Sequence, residues 1–136
     1  MFAIGYELQG TGWAYLTVTH DDIVRRMEVS YIGPDITDLV WQTARLVDGV
    51  PLVTIRFETE PGEHLWTLRR EGDSMSVHIA SDVGILLDVE ADTWEDVTWT
   101  LETSTSLRVF AAAVLTAFDA VLTTLGVEGY GKKWVR

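Results

Sequence analysis

The chain has 136 residues, 47% of them hydrophobic, and a formal net charge of −11. This size and composition predict one globular domain spanning residues 1–136 and exclude wholesale disorder. An acidic surface repels phosphates, so direct binding to nucleic acid or to anionic membranes is disfavoured. The chain has no cysteine, which excludes disulfides and thiolate metal sites and suits a cytoplasmic protein. The first ten residues carry Glu7 and no basic side chain, so no secretory signal is expected.

The first third of the chain predicts three antiparallel strands and a helix. Apolar residues alternate over residues 2–8, again from Ala14 to Val18, and again over residues 23–32. A helix is expected to begin at Asp35, whose carboxylate can cap the free amides of the first turn. Gly49 is expected to end it, because glycine tolerates the left-handed conformation found there.

Residues 50–80 give the clearest pattern, two hairpins that share a middle strand. With Pro61-Gly62 and Gly72-Asp73 as central turn residues, Phe57 would face Trp66, and Trp66 would face Ile79. Side chains alternate between the faces of a strand, so both hairpins then place their apolar residues on one face. That face carries Val53, Ile55, Phe57, Trp66, Leu68, Met75, Val77 and Ile79. The opposite, polar face carries Thr54, Arg56, Glu58, Thr67, Arg69, Ser76 and His78.

The last third predicts one or two further strands, around residues 85–90 and 97–102, and a long helix. Ser104 or Ser106 can cap this helix, and Gly126 is expected to end it. Both of its sides are nearly uncharged, so it is either covered on both sides or exposes a contact surface. The fold class is therefore α+β: an antiparallel sheet of seven or eight strands, a helix after the third strand, and a C-terminal helix packed on the sheet.

The acidic residues are concentrated in the middle of the chain. Residues 50–103 hold 12 acidic and 3 basic side chains, and residues 82–96 hold six acidic and no basic ones. Such a segment is either a solvated edge or a surface for a basic protein. Its spacing does not match a calcium-binding loop. The candidate partner-binding residues are Glu58, Glu60, Glu63, Asp88, Glu90 and Asp92.

Motifs that carry catalysis are not found in the sequence. There is no phosphate-binding loop, no zinc-protease motif and no nucleophile elbow. His20 lies in a turn, while His64 and His78 fall on opposite faces, so the three are poorly placed to share a metal. No catalytic residue, cofactor or metal is therefore predicted. Of the six tryptophans, Trp66 and Trp99 are expected in the core, whereas Trp13, Trp41 and Trp94 could be exposed.

Three stretches carry a family resemblance: Ser30-Tyr31-Ile32-Gly33-Pro34 leading into the helix with Asp38-Leu39, Glu60-Pro61-Gly62-Glu63, and Trp66-x-Leu68-x-Arg70-x-Gly72. With them the chain resembles small uncharacterised bacterial proteins of the hypothetical, immunity-like kind. The resemblance implies a strand–helix connection, a two-hairpin meander and a C-terminal helix ending near Trp134. It transfers turn, cap and core positions and no catalytic residue.

We therefore expect a non-enzymatic protein-binding module of the immunity type that holds a basic partner. One alternative is a small-molecule binder or enzyme with a pocket between the sheet and the C-terminal helix, contacted by Arg56, Arg69 or His78. Another is a homodimer formed through the C-terminal helix face from Val109 to Thr123. The chain would then be a monomer or a homodimer.

Overall fold

A computed structural model of the chain describes residues 2–9, 12–30, 35–59, 63–83 and 101–134, with the side chains of 82, 83 and 124–134 excepted. These residues form seven strands and two helices. The elements in chain order are β1 Phe2–Gln9, β2 Trp13–His20, β3 Ile23–Ser30, α1 Ile36–Val47, β4 Leu52–Glu58, β5 Glu63–Glu71, β6 Ser74–Val83, β7 Leu101–Ser106 and α2 Leu107–Trp134. The predicted strand over residues 85–90 lies outside the described residues.

The strands form two antiparallel sheets. One has the order β1-β2-β3 and the other β4-β5-β6-β7. The α+β class, the meander connections and the packing of the C-terminal helix are confirmed. The division into two sheets was not predicted, because alternation along a strand does not reveal which strands are neighbours.

The first sheet buries one face and exposes the other. Leu16 pairs with Met27 and Ala14 with Val29, and all four are buried, as the alternation predicts. Asp21 and Asp22 form the tight turn between β2 and β3, and Asp21 adopts a positive φ of 56°. Aspartate is one of the few residues besides glycine that enters this region readily.

Helix α1 begins and ends close to the predicted residues. The Asp35 side chain accepts a hydrogen bond from the Thr37 amide, and the Asp38 carboxylate accepts one from the Asp35 amide, which completes a capping box. Gly49, at a φ of 109°, follows the helix. The Arg70 guanidinium on β5 donates to the carbonyls of Leu46 and Val47 at 2.7 and 3.0 Å. These two hydrogen bonds fix the last turn of α1 against the second sheet.

In the second sheet the predicted faces are correct, and one register is not. All eight residues predicted for the apolar face are buried. The second hairpin pairs as predicted, with Trp66 opposite Ile79. In the first hairpin, however, Trp66 lies opposite Ile55 rather than Phe57, because Glu58 already pairs with Glu63. The connection is therefore four residues long, which shifts the pairs by two and leaves the faces unchanged.

Strand β5 is buried on both of its faces over Glu63 to Leu68. Trp66 and Leu68 point to the core side, as predicted. Leu65 and Thr67 lie on the other face, which was predicted to be polar, and are buried as well. Strand β5 is thus the most deeply buried strand that the structure describes.

Helix α2 differs from the prediction at its far end. Ser106 caps it, since its hydroxyl accepts a hydrogen bond from the Val109 amide at 3.0 Å. Gly126 does not end it, and the helix continues to Trp134. A glycine inside a helix costs only about 1 kcal/mol relative to alanine, and no proline follows to stop the helix. Phe110, Val114, Ala117 and Val121 form its buried side.

Neither helix packs mainly on the sheet that comes directly before it in the chain. Each packs instead on the first strand of the other sheet. Helix α2, which follows the second sheet, packs mainly on β1, and α1, which follows the first sheet, packs on β4. The helices also contact each other. As a result the buried residues of both sheets and both helices belong to one hydrophobic core.

Candidate partner-binding surfaces

Two of the six predicted partner-binding residues lie within the described residues. Glu58 ends β4 and Glu63 begins β5, so the two flank the loop of the first hairpin of the second sheet. Glu60, Asp88, Glu90 and Asp92 lie outside the described residues. The assignment of all six to a partner surface stays a prediction.

Glu58 and Glu63 form a directly opposed pair of carboxylates. Like charges in this position repel each other. Arg56, two residues before Glu58, offsets the repulsion, because its guanidinium lies 3.5 Å from the Glu63 carboxylate. Glu63 is only 8% exposed, whereas Glu58 is half-buried. Glu58 is therefore the more accessible carboxylate of the two.

Each of the three histidines has different contacts. The His20 ring contacts the Thr103 hydroxyl of β7, and His78 lies opposite Thr67 on the outer face of the second sheet, as predicted. His64 is buried, with its Nδ1 2.9 Å from the Ser81 hydroxyl and its Nε2 3.1 Å from the Glu28 carbonyl. Because a carbonyl only accepts, Nε2 carries the proton, and His64 bonds β5 to β3 of the other sheet. In the described part of the chain, no three metal-ligating side chains come together.

The pocket alternative needs a correction in its polar contacts. Arg56, Arg69 and His78 lie on the outer face of the second sheet, with Thr54 and Thr67. Helix α2 packs on the opposite side, where Phe110 and Val114 join the core with Trp66 and Leu68. A pocket between this sheet and α2 would not be lined by those three polar residues.

The two helices expose an apolar surface, which we call the helix surface. Trp41 on α1 is 69% exposed, Val47 is 51% exposed, and Leu115 on α2 is 56% exposed. The members of the helix surface are Trp41, Ala44, Val47, Ala112, Leu115 and Thr116, all exposed. The sequence predicts that Trp41 could be exposed, but it could not show that α2 leaves this side uncovered.

A cavity of about 200 Å³ opens in the helix surface between α1 and α2. Its walls are almost entirely apolar, and Asp48 at the end of α1 is the charged residue at its edge. The lining residues are Val40, Thr43, Ala44, Val47, Asp48, Ala111, Val114 and Leu115. A neighbouring cavity of about 530 Å³ lies at the start of α2, between Asp73, Ser106 and Arg108.

The outer face of the first sheet is a third exposed surface. Trp13 and Tyr15 on β2 are half-buried there, and the Arg26 guanidinium lies 3.7 Å from the centre of the Tyr15 ring. This cation–π contact holds a flat, partly aromatic patch in place. Tyrosine, tryptophan and arginine are the residues enriched where proteins bind each other.

The comparisons with known proteins bear on the fold. No family model matches the chain, and no curated protein matches it. Among solved structures, a chain of the CdiA-CT/CdiI toxin and immunity complex from Enterobacter cloacae is similar, with a TM-score of 0.53 and 13% sequence identity. The match covers 88% of this chain and 99% of that one. Neither helix in the described residues is apolar enough, over a sufficient length, to cross a membrane. The chain thus has a fold found in a toxin and immunity complex.

Proposed function

We propose that the chain is a non-enzymatic protein-binding module of the immunity type that holds a basic partner. The observation that carries the proposal is the fold likeness to a chain of a toxin and immunity complex, which extends over nearly the whole of both chains. The sequence supports the immunity side of such a complex, because it carries none of the catalytic motifs sought in it.

The charge of the chain supports a basic partner. Residues 50–103 account for a net charge of −9 within a total of −11. A field of one sign accelerates the association of an oppositely charged protein and rejects partners of like charge. In this proposal the partner contacts Glu58, Glu60, Glu63, Asp88, Glu90 and Asp92.

Because Arg56 pairs with Glu63, the carboxylates of Glu58 and Glu63 have different roles in the proposed binding. Glu63 is already paired and nearly buried, so it fixes the shape of the hairpin end. Glu58 keeps more of its surface in solvent and serves as the direct contact. Substitution of Glu58 should therefore weaken partner binding, whereas substitution of Glu63 should also destabilise the fold.

The test is direct binding between the purified chain and the product of the neighbouring gene, measured by calorimetry at low and high salt. One variant replaces the six proposed contact residues by their amides (Glu→Gln, Asp→Asn). A matched control removes the same number of charges from exposed carboxylates elsewhere: Glu7, Asp21, Asp22, Asp48, Glu71 and Asp73.

We expect the first variant to lose roughly 100-fold or more in affinity, as loss of several interfacial charge pairs does, and the control to lose only a few-fold. The complex of the unmodified chain should weaken as salt rises. Equal losses in the two variants would mean that only total charge matters, and would remove the proposed contact surface. The absence of any complex with a basic neighbouring product would count against the immunity role itself.

A further inference from the structure

We infer that the helix surface binds a second copy of this chain, with Trp41 of each copy inserted into the cavity between α1 and α2 of the other. This inference concerns a different surface from the proposed partner site and does not depend on it.

The first observation is the exposure of Trp41. A tryptophan that is 69% exposed on a helix leaves a large apolar side chain in water, although the other side of α1 is well packed. Tryptophan is the residue most characteristic of binding hot spots, where it fills a pocket on the partner. Among the described residues, Trp41 is thus a large apolar side chain that no pocket encloses.

The second observation is the cavity in the same helix surface. The cavity between α1 and α2 measures about 200 Å³ and is lined by apolar side chains of both helices. An apolar cavity of about 150 Å³ is already large enough to take up a benzene molecule. The cavity is therefore of the size and chemistry that suit an aromatic side chain.

The exposed Trp41 side chain and the cavity lie close together, so that one two-fold interface can include both. Trp41 lies one turn from Ala44 on α1, and Ala44 is part of the cavity wall. In a two-fold pair the same surface of both copies is used, so each copy offers its Trp41 to the cavity of the other. Two equivalent contacts then form at once.

The charge of the helix surface favours a second copy of the chain over a basic partner. The chain carries −11, but α1 holds one acidic and one basic residue, Asp38 and Arg45, and residues 107–123 of α2 hold Arg108 and Asp119. With Asp48 at the cavity edge, these helical segments and this edge carry a net charge of only −1. A basic partner would gain little from this nearly neutral surface. Two copies of an acidic chain, by contrast, can approach each other here with the least repulsion.

The test begins with the mass of the unmodified chain in solution, measured by light scattering from low to high micromolar concentration. The monomer has a mass of 15.2 kDa, and we expect a dimer of twice that mass. Because the interface is apolar and salt screens the repulsion between two acidic chains, the dimer should not weaken as salt rises, in contrast to the proposed complex with a basic partner. A chain that stays monomeric at several hundred micromolar would overturn the inference.

Two variants then test the geometry. Trp41→Ala removes the inserted side chain, and Leu115→Glu places a charge in the wall of the cavity. Each should weaken dimerisation by at least about 30-fold, as loss of a hot spot does. Val24→Ala is the matched control, since Val24 is equally exposed but lies on β3. A dimer that persists in both helix variants would place the interface elsewhere and overturn the inference.

A mixture of the two variants gives the sharpest result. The Trp41→Ala chain keeps its cavity and the Leu115→Glu chain keeps its Trp41, so a mixed pair retains one intact contact. Native mass spectrometry should show a mixed dimer where each variant alone is monomeric. Absence of the mixed dimer would overturn the insertion of Trp41.

Discussion

The two sheets follow the same alternation of apolar and polar residues but are buried to different degrees. In the first sheet, β2 alternates between buried and half-buried residues along its length, as a sheet with one face near solvent does. In the second sheet, β5 is buried on both faces from Glu63 to Leu68. Alternation therefore predicts which side faces the core, and it does not predict how accessible the other side is.

From this difference we expect the second sheet to contribute more to the free energy of unfolding than the first. The residues of β5 that lie on the outer face include Leu65, which is as buried as the core residues. Substitutions at matched positions of the two sheets can test this, and the following four are ordered by expected effect.

Trp66→Ala should have the largest effect. Trp66 is fully buried and packs edge-on against Phe57, with ring centres 5.5 Å apart. Truncation of a buried aromatic side chain costs about 3–5 kcal/mol in the free energy of unfolding. Urea unfolding should show this loss, while Trp13→Ala on the outer face of the first sheet should cost less than half as much. Similar losses at the two positions would contradict the unequal burial.

Leu65→Ala tests the buried outer face of β5. Because Leu65 is fully buried, its truncation should lower the free energy of unfolding by about 2–4 kcal/mol. Thr17→Ala, at a half-buried position on the outer face of the first sheet, should change it by no more than about 0.5 kcal/mol. If Leu65→Ala were equally mild, the outer face of β5 would be open to solvent.

His64→Ala tests the bond between the sheets. The substitution leaves the Glu28 carbonyl and the Ser81 hydroxyl without the imidazole at a partly buried site, which should cost about 1–3 kcal/mol. A double-mutant cycle with Ser81→Ala should show coupling between the two residues, measured by thermal unfolding. Additive effects would mean that the bond between His64 and Ser81 does not contribute to stability.

Thr67→Val should have the smallest effect and the opposite sign. The Thr67 hydroxyl is buried and has no hydrogen-bond partner among the residues that the structure describes, so replacing it by a methyl group of similar size removes a desolvation cost. We expect stabilisation of up to about 1 kcal/mol. Thr54→Val, at the exposed cross-strand neighbour, is the control and should be close to neutral. Destabilisation by Thr67→Val would indicate that the hydroxyl has a partner in solution.

The sequence was a good guide wherever local chemistry decides the structure. The capping box at Asp35 and the turn at Gly72 depend on adjacent residues, and both are where the sequence predicts. The register of the first hairpin was wrong because Pro-Gly suggests a two-residue turn, while the strands already pair at Glu58 and Glu63. The far end of α2 was wrong because one glycine is a weak stop signal.

The candidate surfaces were only partly predictable. Acidic residues can be counted in a sequence, so the charged surface was predicted, but the burial of Glu63 beside Arg56 depends on how the hairpin packs. The cavity beside Trp41 depends on the distance between two helices about 70 positions apart, for which a single sequence carries no signal.

The crossed packing of the helices has a consequence for synthesis. Strand β1 begins at Phe2, but the helix that covers it begins only at Leu107. The ribosome adds ~5–20 residues per second, so synthesis of the residues between the first sheet and α2 takes several seconds. The apolar face of the first sheet stays uncovered by α2 during that time. The chain can therefore complete its core only after the buried side of α2 has been synthesised.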